Sequence, residues 1–148
     1  GSGSFAIPLA KRVADGLVYA IDIQKDPLSV LKSRANFENI RNIRIISSDL
    51  EAEKGSTLAD SSVDAVLIIN VLFQAEKKEA LIKEAKRILR NNGILAVVDW
   101  QIKAGQGPEK GKISPERVKK IAEELGFKIE KEFEVGKYHY GIIFLKHL

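Results

Sequence analysis

Two stretches decide the fold of this chain: Gly1-Ser-Gly-Ser-Phe-Ala6 at its start, and the apolar run Leu17-Val-Tyr-Ala-Ile-Asp22, which ends on an acid. Glycines that lead into a helix, followed about 20 residues later by an acid at a strand tip, are typical of a Rossmann-like βαβ unit. Such glycines let the backbone approach a nucleotide, and the acid accepts hydrogen bonds from ribose hydroxyls. Taken alone, Gly-Ser-Gly-Ser is also the composition of an artificial linker. Position and spacing together nevertheless predict that Asp22 holds a ribose diol.

Beyond this unit, the periodicity alternates between helix and buried strand. Helices are predicted over residues 5–13, 26–39, 77–89 and 115–125, and strands over 17–23, 43–47, 63–71 and 94–100. Asp26-Pro27 and Ser114-Pro115 each supply an N-cap residue followed by a proline at the first helical position. Residues 128–135 and 138–146 are separated by a short turn and therefore predict an antiparallel hairpin. The expected fold is α/β, a single-domain Rossmann-like three-layer sandwich over residues 1–148, with a mostly parallel sheet and a C-terminal antiparallel hairpin.

Composition excludes several classes of function. The chain has no cysteine and two histidines, so a disulfide framework, a thiolate metal site and a histidine-rich metal site are excluded, and no metal is predicted. The net charge of +4 comes from 24 basic and 20 acidic residues without a basic block, which argues against nucleic acid as a partner. The sequence shows neither a signal peptide nor an apolar run near the ~20 residues of a membrane span. We therefore expect a cytoplasmic protein with no membrane partner.

The residues that end the predicted strands are the candidates for a binding site, because cofactors in open α/β sheets bind beyond the carboxyl ends of the strands. They are Asp22-Ile23, Ser48-Asp49-Leu50, Asn70-Val71-Leu72 and Asp99-Trp100-Gln101. Asp49 is predicted to accept a hydrogen bond from an adenine amino group while Leu50 packs on the ring, and Asn70 to face the reacting group. Each has an alternative: Asp49 as an N-cap or loop acid, Asn70 as the cap of a turn, and Asp99 as the acid that orders a loop.

With these motifs in order, and with the segments 62–70 and 85–99, the chain resembles class I S-adenosylmethionine-dependent methyltransferases from Gly1 to the C-terminal hairpin. The family's glycine motif usually holds three glycines after an acid that closes the first strand. Gly1 and Gly3 match the second and third of these glycines. The first glycine, the acid and the whole first strand have no counterpart in this sequence, and in the family's order that strand lies mid-sheet.

The resemblance implies S-adenosylmethionine as cofactor, S-adenosylhomocysteine as product, and in-line methyl transfer to a small molecule or a side chain. Because a sulfonium is already a strong leaving group, positioning and desolvation are the expected contributions of the protein, and no catalytic residue is predicted. Ribose binding is implied for Asp22, adenine recognition for Asp49, and contact with the methionine part or substrate for Asn70 and Leu72. The predicted cofactor-binding residues are Gly1, Gly3, Asp22, Ile23, Asp49, Leu50, Asn70 and Leu72, and the predicted substrate contacts are Phe73, Trp100 and Gln101.

Two further features have open interpretations. If a substrate needs a general base, His139 or Tyr140 is a candidate, although an ordinary hairpin face is the favoured reading of both. The Gly- and Lys-rich segment of residues 103–112, here named the lysine loop, is predicted to be an exposed lid rather than a phosphate contact.

Two other functions remain open at this point. Gly1-Ser-Gly-Ser-Phe-Ala6 also satisfies G-x-G-x-x-A, so an NAD-dependent dehydrogenase fragment is one alternative, although the Asp49 motif and the terminal hairpin argue against it. The other is an inactive truncated methyltransferase fold that acts as an oligomerising or binding module. Without the first strand, either residues 18–23 pair directly with residues 63–71, or copies of the chain form a homo-oligomer through unpaired sheet edges. Association is the favoured outcome.

Overall fold

The computed structural model describes residues 3–147 and divides the chain into two compact units, Gly1–Thr57 and Leu58–Leu148. The first unit contains α1 (Ala6–Arg12), β1 (Val18–Asp22), α2 (Lys25–Phe37) and β2 (Ile43–Ser47). The second contains β3 (Val63–Ile69), α3 (Lys78–Ile88), β4 (Leu89–Trp100), α4 (Pro115–Glu124), β5 (Phe127–Val135) and β6 (His139–Lys146), with 3-10 turns at Leu72–Gln74 and Ile102–Ala104. The predicted α/β class is confirmed. The prediction that residues 1–148 form a single domain stays a prediction.

In the first unit, β1 and β2 form a parallel pair in which Asp22 lies opposite Ser47. The two helices supply the core that covers this pair. Ile7 of α1 and Leu31 and Ala35 of α2 are buried together, and Ile43 and Ile45 of β2 pack against them. The carboxyl ends of both strands therefore meet at one edge of a small, helix-covered sheet.

In the second unit, the strand order is β3-β4-β6-β5. β3 and β4 are parallel, whereas β6 runs antiparallel to both β4 and β5. The predicted hairpin is confirmed, and its second strand lies next to β4. As a result, the start of β6 lies beside the end of β4, with Trp100 opposite His139.

Three expectations differ from the structure. α2 begins at Lys25, with Gln24 at the N-cap position, so the predicted cap at Asp26 is wrong. Asp26 and Pro27 lie in the first turn of the helix. The N–H groups of the first turn have no partner within the helix, so a proline there costs no helical hydrogen bond. β4 begins at Leu89, five residues before the strand predicted at 94–100, and Asn92 at φ 65° accompanies a register shift against β3.

The third difference concerns the sheet. The strands form two sheets instead of one, and β1 and β3 belong to different sheets. Direct pairing of these strands, one of the two predicted outcomes of a missing strand, is therefore wrong for the described residues. Among residues 3–147, no helix has the length and apolar character needed to cross a membrane.

Candidate active site at the strand ends

Gly3 forms the turn that leads into α1. It has φ +104°, is buried, and its carbonyl accepts the Ile7 N–H at 3.2 Å. A Cβ at this position would lie 2.9 Å from Leu31 Cδ1, so only glycine fits this close approach in the left-handed region. The predicted glycine turn is therefore present. Gly1 lies outside the described residues.

Asp22 lies at the tip of β1, as the sequence predicted. Its Oδ1 accepts the Gln24 N–H at 3.0 Å, and its backbone carbonyl accepts the Ser48 N–H at 3.1 Å. These bonds fix the carboxylate at the carboxyl edge of the β1–β2 pair. Ile23, the next predicted residue, is 62% exposed at the same edge.

Asp49 follows β2 and orders its own loop. Its Oδ1 accepts the Glu51 N–H at 2.9 Å, and its carbonyl accepts the Ala52 N–H at 3.1 Å, which together close an Asx-type turn. Gly55 approaches the Asp49 carbonyl so closely that a side chain at residue 55 would overlap it. The loop-acid interpretation of Asp49 is therefore confirmed. Its adenine contact, and the packing of half-buried Leu50 on the ring, stay predictions.

Asn70 follows β3 in a left-handed conformation with φ 56°. Its N–H donates to the Val98 carbonyl at 2.9 Å, and its own carbonyl accepts from Gln74 Nε2 at 3.0 Å. The side-chain Oδ1 is buried and has no hydrogen-bond partner within residues 3–147, so the alternative role of Asn70 as a turn cap through this atom is wrong. A buried carbonyl oxygen without a donor costs about 1–3 kcal/mol, so Asn70 Oδ1 is a candidate to accept a hydrogen bond from a bound group.

Asp99 organises the turn that follows Asn70. It is fully buried, and its two carboxylate oxygens accept the Trp100 N–H at 2.8 Å and the Phe73 N–H at 3.3 Å. Burial raises the pKa of this carboxyl, against the opposing effect of hydrogen bonds from the backbone of Trp100, Phe73 and Leu72. Asp99 therefore orders a loop, as the alternative reading proposed. Leu72 is fully buried and Phe73 half-buried in the turn that it holds.

Trp100 and His139 face each other across the β4–β6 pair. Their ring centroids lie 4.1 Å apart with an interplanar angle of 38°. Gln101 braces the same place, because its N–H donates to the Tyr138 carbonyl at 2.7 Å and its Nε2 to the His139 carbonyl at 3.1 Å. His139 Nε2 is buried and has no hydrogen-bond partner in the described part of the chain. The structure thus places the predicted substrate contacts Trp100 and Gln101 against a histidine that sequence reasoning favoured as an ordinary hairpin residue.

The lysine loop is exposed, as predicted, and is anchored at two glycines. Gly107, at φ +83°, lies on the indole of Trp100, where an added Cβ would be 2.5 Å from the ring. Gly111, at φ +87°, lies against the carbonyl of Phe73. Beyond the loop, the buried Tyr140 hydroxyl donates to the Ile113 carbonyl at 2.6 Å.

The family comparison decides the class of the protein. A model described as a methyltransferase domain matches residues 1–97. The chain belongs to this methyltransferase family. Membership implies S-adenosylmethionine as the cofactor.

Solved structures agree with the fold of this methyltransferase. A SAM-dependent methyltransferase from Aquifex aeolicus matches 99% of the chain and 78% of its own length, at 26% identity and a TM-score of 0.86. A structure assigned to the type 11 methyltransferases, from Sulfolobus solfataricus, matches 99% of the chain and 80% of its own length, at 26% identity and a TM-score of 0.77. The [4+2]-cyclase SpnF also has a TM-score of 0.86, over 100% of this chain and 72% of its own, at 14% identity. At that identity the likeness shows the fold alone.

Proposed function

We propose that this chain transfers the methyl group of S-adenosylmethionine in line to a small molecule or an amino-acid side chain. One observation carries the proposal: within the segment that matches the family, Asp22 presents its carboxylate at the tip of β1, held by the Gln24 N–H at 3.0 Å. An acid in this place suits the two hydroxyls of a ribose. The alternatives of a dehydrogenase fragment and of an inactive binding module have no comparable support.

Residues of the first unit suit the ribose part of the cofactor, because the Gly3 turn leaves no room for a side chain and the Asp22 carboxylate can accept hydrogen bonds from hydroxyls. Within the second unit, Asn70 Oδ1 has no hydrogen-bond partner among the described residues and suits an N–H or O–H of a substrate. When bound, the sulfonium supplies an electrophilic methyl and a good leaving group. The chain's own contribution is then to orient the partners and to exclude water.

Calorimetry tests the nucleotide. We expect heat of binding for S-adenosylhomocysteine and none for NAD. Asp22→Ala should weaken the binding of S-adenosylhomocysteine by about 1–3 kcal/mol, because the substitution removes a charge-assisted hydrogen bond. Asp15→Ala, at an exposed acid of the same unit, is the matched control and should bind as the wild type does. Binding of NAD with no heat for S-adenosylhomocysteine would contradict the proposal, and an unchanged affinity in Asp22→Ala would remove Asp22 from the site.

The acceptor class has a separate test. We propose a small-molecule or side-chain acceptor rather than a nucleic acid because charges of both signs are interspersed along the chain. Lys112, one of the lysines of the lysine loop, donates to the Gln106 carbonyl of the same loop at 2.7 Å. Because charges of both signs are interspersed along the chain, we expect that the protein does not retain RNA at moderate salt. Salt-sensitive retention that is lost when Lys103, Lys110 and Lys112 are changed to glutamine would overturn this acceptor class.

A further inference from the structure

Three titratable side chains lie where β4 ends and β6 begins, and two of them are already engaged. Asp99 uses its carboxylate oxygens for the N–H groups of Trp100 and Phe73. Tyr140 donates its hydroxyl to the Ile113 carbonyl at 2.6 Å, and burial, followed by the nearby Asp99 charge, raises the pKa of this hydroxyl. Neither group is available to take a proton from a ligand near neutral pH without giving up a buried contact.

His139 differs from both. Its Nε2 is buried and has no hydrogen-bond partner among residues 3–147. The ring packs against Trp100 with centroids 4.1 Å apart, and the Gln101 side chain donates to the backbone carbonyl of His139. Buried polar atoms are nearly always paired, so an oriented imidazole with an unused nitrogen is fitted to a group that the structure does not contain.

A second unpaired atom lies at the same edge of the sheet. Asn70 Oδ1, after β3, is buried and lacks a partner in the described residues. β3 and β6 are the two neighbours of β4, so Asn70 and His139 flank the end of that strand from opposite sides. No other buried side-chain oxygen or nitrogen in the described chain lacks a partner. The convergence of both on one strand end indicates a polar ligand site within the second unit.

We propose that His139 is the catalytic base of this methyltransferase, and that the methyl acceptor is a hydroxyl or amine that carries a proton before it reacts. The inference rests on the proposed function. As the acceptor's lone pair forms a bond to the methyl carbon, the carbon–sulfur bond breaks and its electron pair stays on sulfur. The acceptor's proton passes to Nε2 of His139, and the resulting imidazolium is attracted by the Asp99 carboxylate before it releases the proton to water.

The acceptor class follows from this chemistry. A thiolate or thioether already offers a lone pair without a proton, and needs no base. A hydroxyl or a protonated amine must lose a proton, and gains from a positioned imidazole. The lysine loop approaches the other side of this pair, because its Gly107 lies on the Trp100 ring. In the strand register, the charged or titratable residues next to the His139 pairs are Asp99 of β4, Glu134 of β5 and Tyr140 of β6. The loop segment carries Lys103, Glu109, Lys110 and Lys112.

Fluorescence gives a readout that needs no substrate, because Trp100 is the only tryptophan in the sequence. A protonated imidazole in contact with indole quenches its emission, so a proton taken up by His139 should lower the emission of Trp100. His139→Gln should abolish this change, and His147→Gln, at the exposed histidine after β6, should leave it intact. If the wild type and His139→Gln lose the same amount of emission on acidification, the inference is overturned, because the imidazole would then take up no proton beside Trp100.

Methyl transfer completes the test. With labelled S-adenosylmethionine and a panel of phenol, alcohol, amine and thiol acceptors, we expect transfer to hydroxyls or amines. In His139→Gln, kcat should fall about 100-fold or more and the acid limb of the pH profile should disappear, while S-adenosylhomocysteine binding by calorimetry stays unchanged. His147→Gln should keep wild-type kinetics. Binding of S-adenosylhomocysteine with transfer to thiols alone, or to no hydroxyl or amine, would overturn the inference, as would loss of activity in Tyr140→Phe but not in His139→Gln. Absence of S-adenosylhomocysteine binding by the wild type would instead contradict the proposed function.

Discussion

Asp99 is a buried carboxylate whose environment acts on it in two opposite ways. Burial disfavours its charge and raises its pKa, whereas the backbone N–H groups of Trp100 and Phe73 favour the charged form. Burial is the larger effect, so the folded protein holds this proton more tightly than the unfolded chain does. A residue that orders the turn after Asn70 therefore also makes the stability of the fold depend on pH.

The sign of that dependence is testable. An ordinary Asp has a pKa near 3.9 in an unfolded chain. Above about pH 4, the unfolded chain loses the proton first, so the stabilisation from protonated Asp99 is lost as the pH rises through its folded pKa. The side chain at residue 99 cannot titrate in Asp99→Asn. The difference between the free energies of unfolding of the wild type and of this variant should therefore decrease as the pH rises above about 4.

Urea unfolding at several pH values from 4 to 7 measures this difference. Asp15→Asn, at an exposed acid, should give a curve parallel to that of the wild type. Parallel curves for Asp99→Asn as well would show that burial of Asp99 does not govern its titration.

Gly3 carries a second prediction for a single residue. Gly3→Ala places a methyl group 2.9 Å from Leu31 Cδ1 at φ +104°, so it should reduce the free energy of unfolding by about 2–4 kcal/mol through strain and overpacking. Gly136→Ala, at φ +60° with nothing within 4 Å, adds strain alone and should cost about 1 kcal/mol. Equal losses in the two variants would mean that the Leu31 contact is relieved without cost.

At the scale of elements, the lysine loop is held by close backbone approaches. Gly107 lies on the Trp100 indole and Gly111 on the Phe73 carbonyl, and the Tyr140 hydroxyl binds Ile113 just beyond the loop. Each contact joins the loop to an end of β4, to the turn after β3, or to β6. The loop therefore covers the same strand ends that present Trp100 and His139.

Two alanine variants separate contact from strain in this loop. Gly107→Ala would bring Cβ to 2.5 Å from the indole, so the loop must lift and Trp100 emission should shift to the red as water reaches the ring. Gly105→Ala, at φ +65° with open space around it, introduces similar backbone strain and should leave the emission unchanged. Identical spectra for both variants would contradict the contact between Gly107 and Trp100.

At the scale of the whole molecule, the main question is whether the edge of β3 pairs with another chain. β3 pairs with β4 on one side only in the described residues, and its sequence, Val63-Asp-Ala-Val-Leu-Ile-Ile69, contains neither lysine nor proline. Leu67 on this strand is 45% exposed. Asp64, at the start of the strand, is its one charged residue, and an edge strand with neither lysine nor proline favours pairing with another strand. We therefore expect a second copy of the chain to pair with this edge.

Light scattering at micromolar concentration tests that expectation. The wild type should have the mass of a dimer or a larger oligomer, and Leu67→Lys should shift it towards the monomer by placing a charge on the edge strand. Phe37→Lys, at a residue that is 90% exposed on α2, is the control for loss of surface hydrophobicity and should remain associated. A monomeric wild type that unfolds cooperatively would contradict association.

Local pattern in the sequence was sufficient for most of the elements and for the position of Asp22, a candidate binding residue. The periodicities predicted the helices and strands within two residues, except that β4 begins at Leu89, five residues before the predicted strand. They succeed because each element depends on neighbours a few positions away. Asp22 was placed at the tip of β1 for the same reason, since the apolar run ends there. The glycine turn before α1 was likewise predicted, because a left-handed turn favours glycine wherever it occurs.

Only the tertiary structure decided how the site residues are used. Asp99 binds Phe73, 26 positions away, and Tyr140 binds Ile113, 27 positions away. His139 meets Trp100 only because β6 pairs with β4, and the division into two sheets depends on which strands find partners. Such contacts join residues that are distant along the chain, so no local periodicity encodes them. They nevertheless determine which buried polar atoms find partners among the described residues and which, like His139 Nε2, do not.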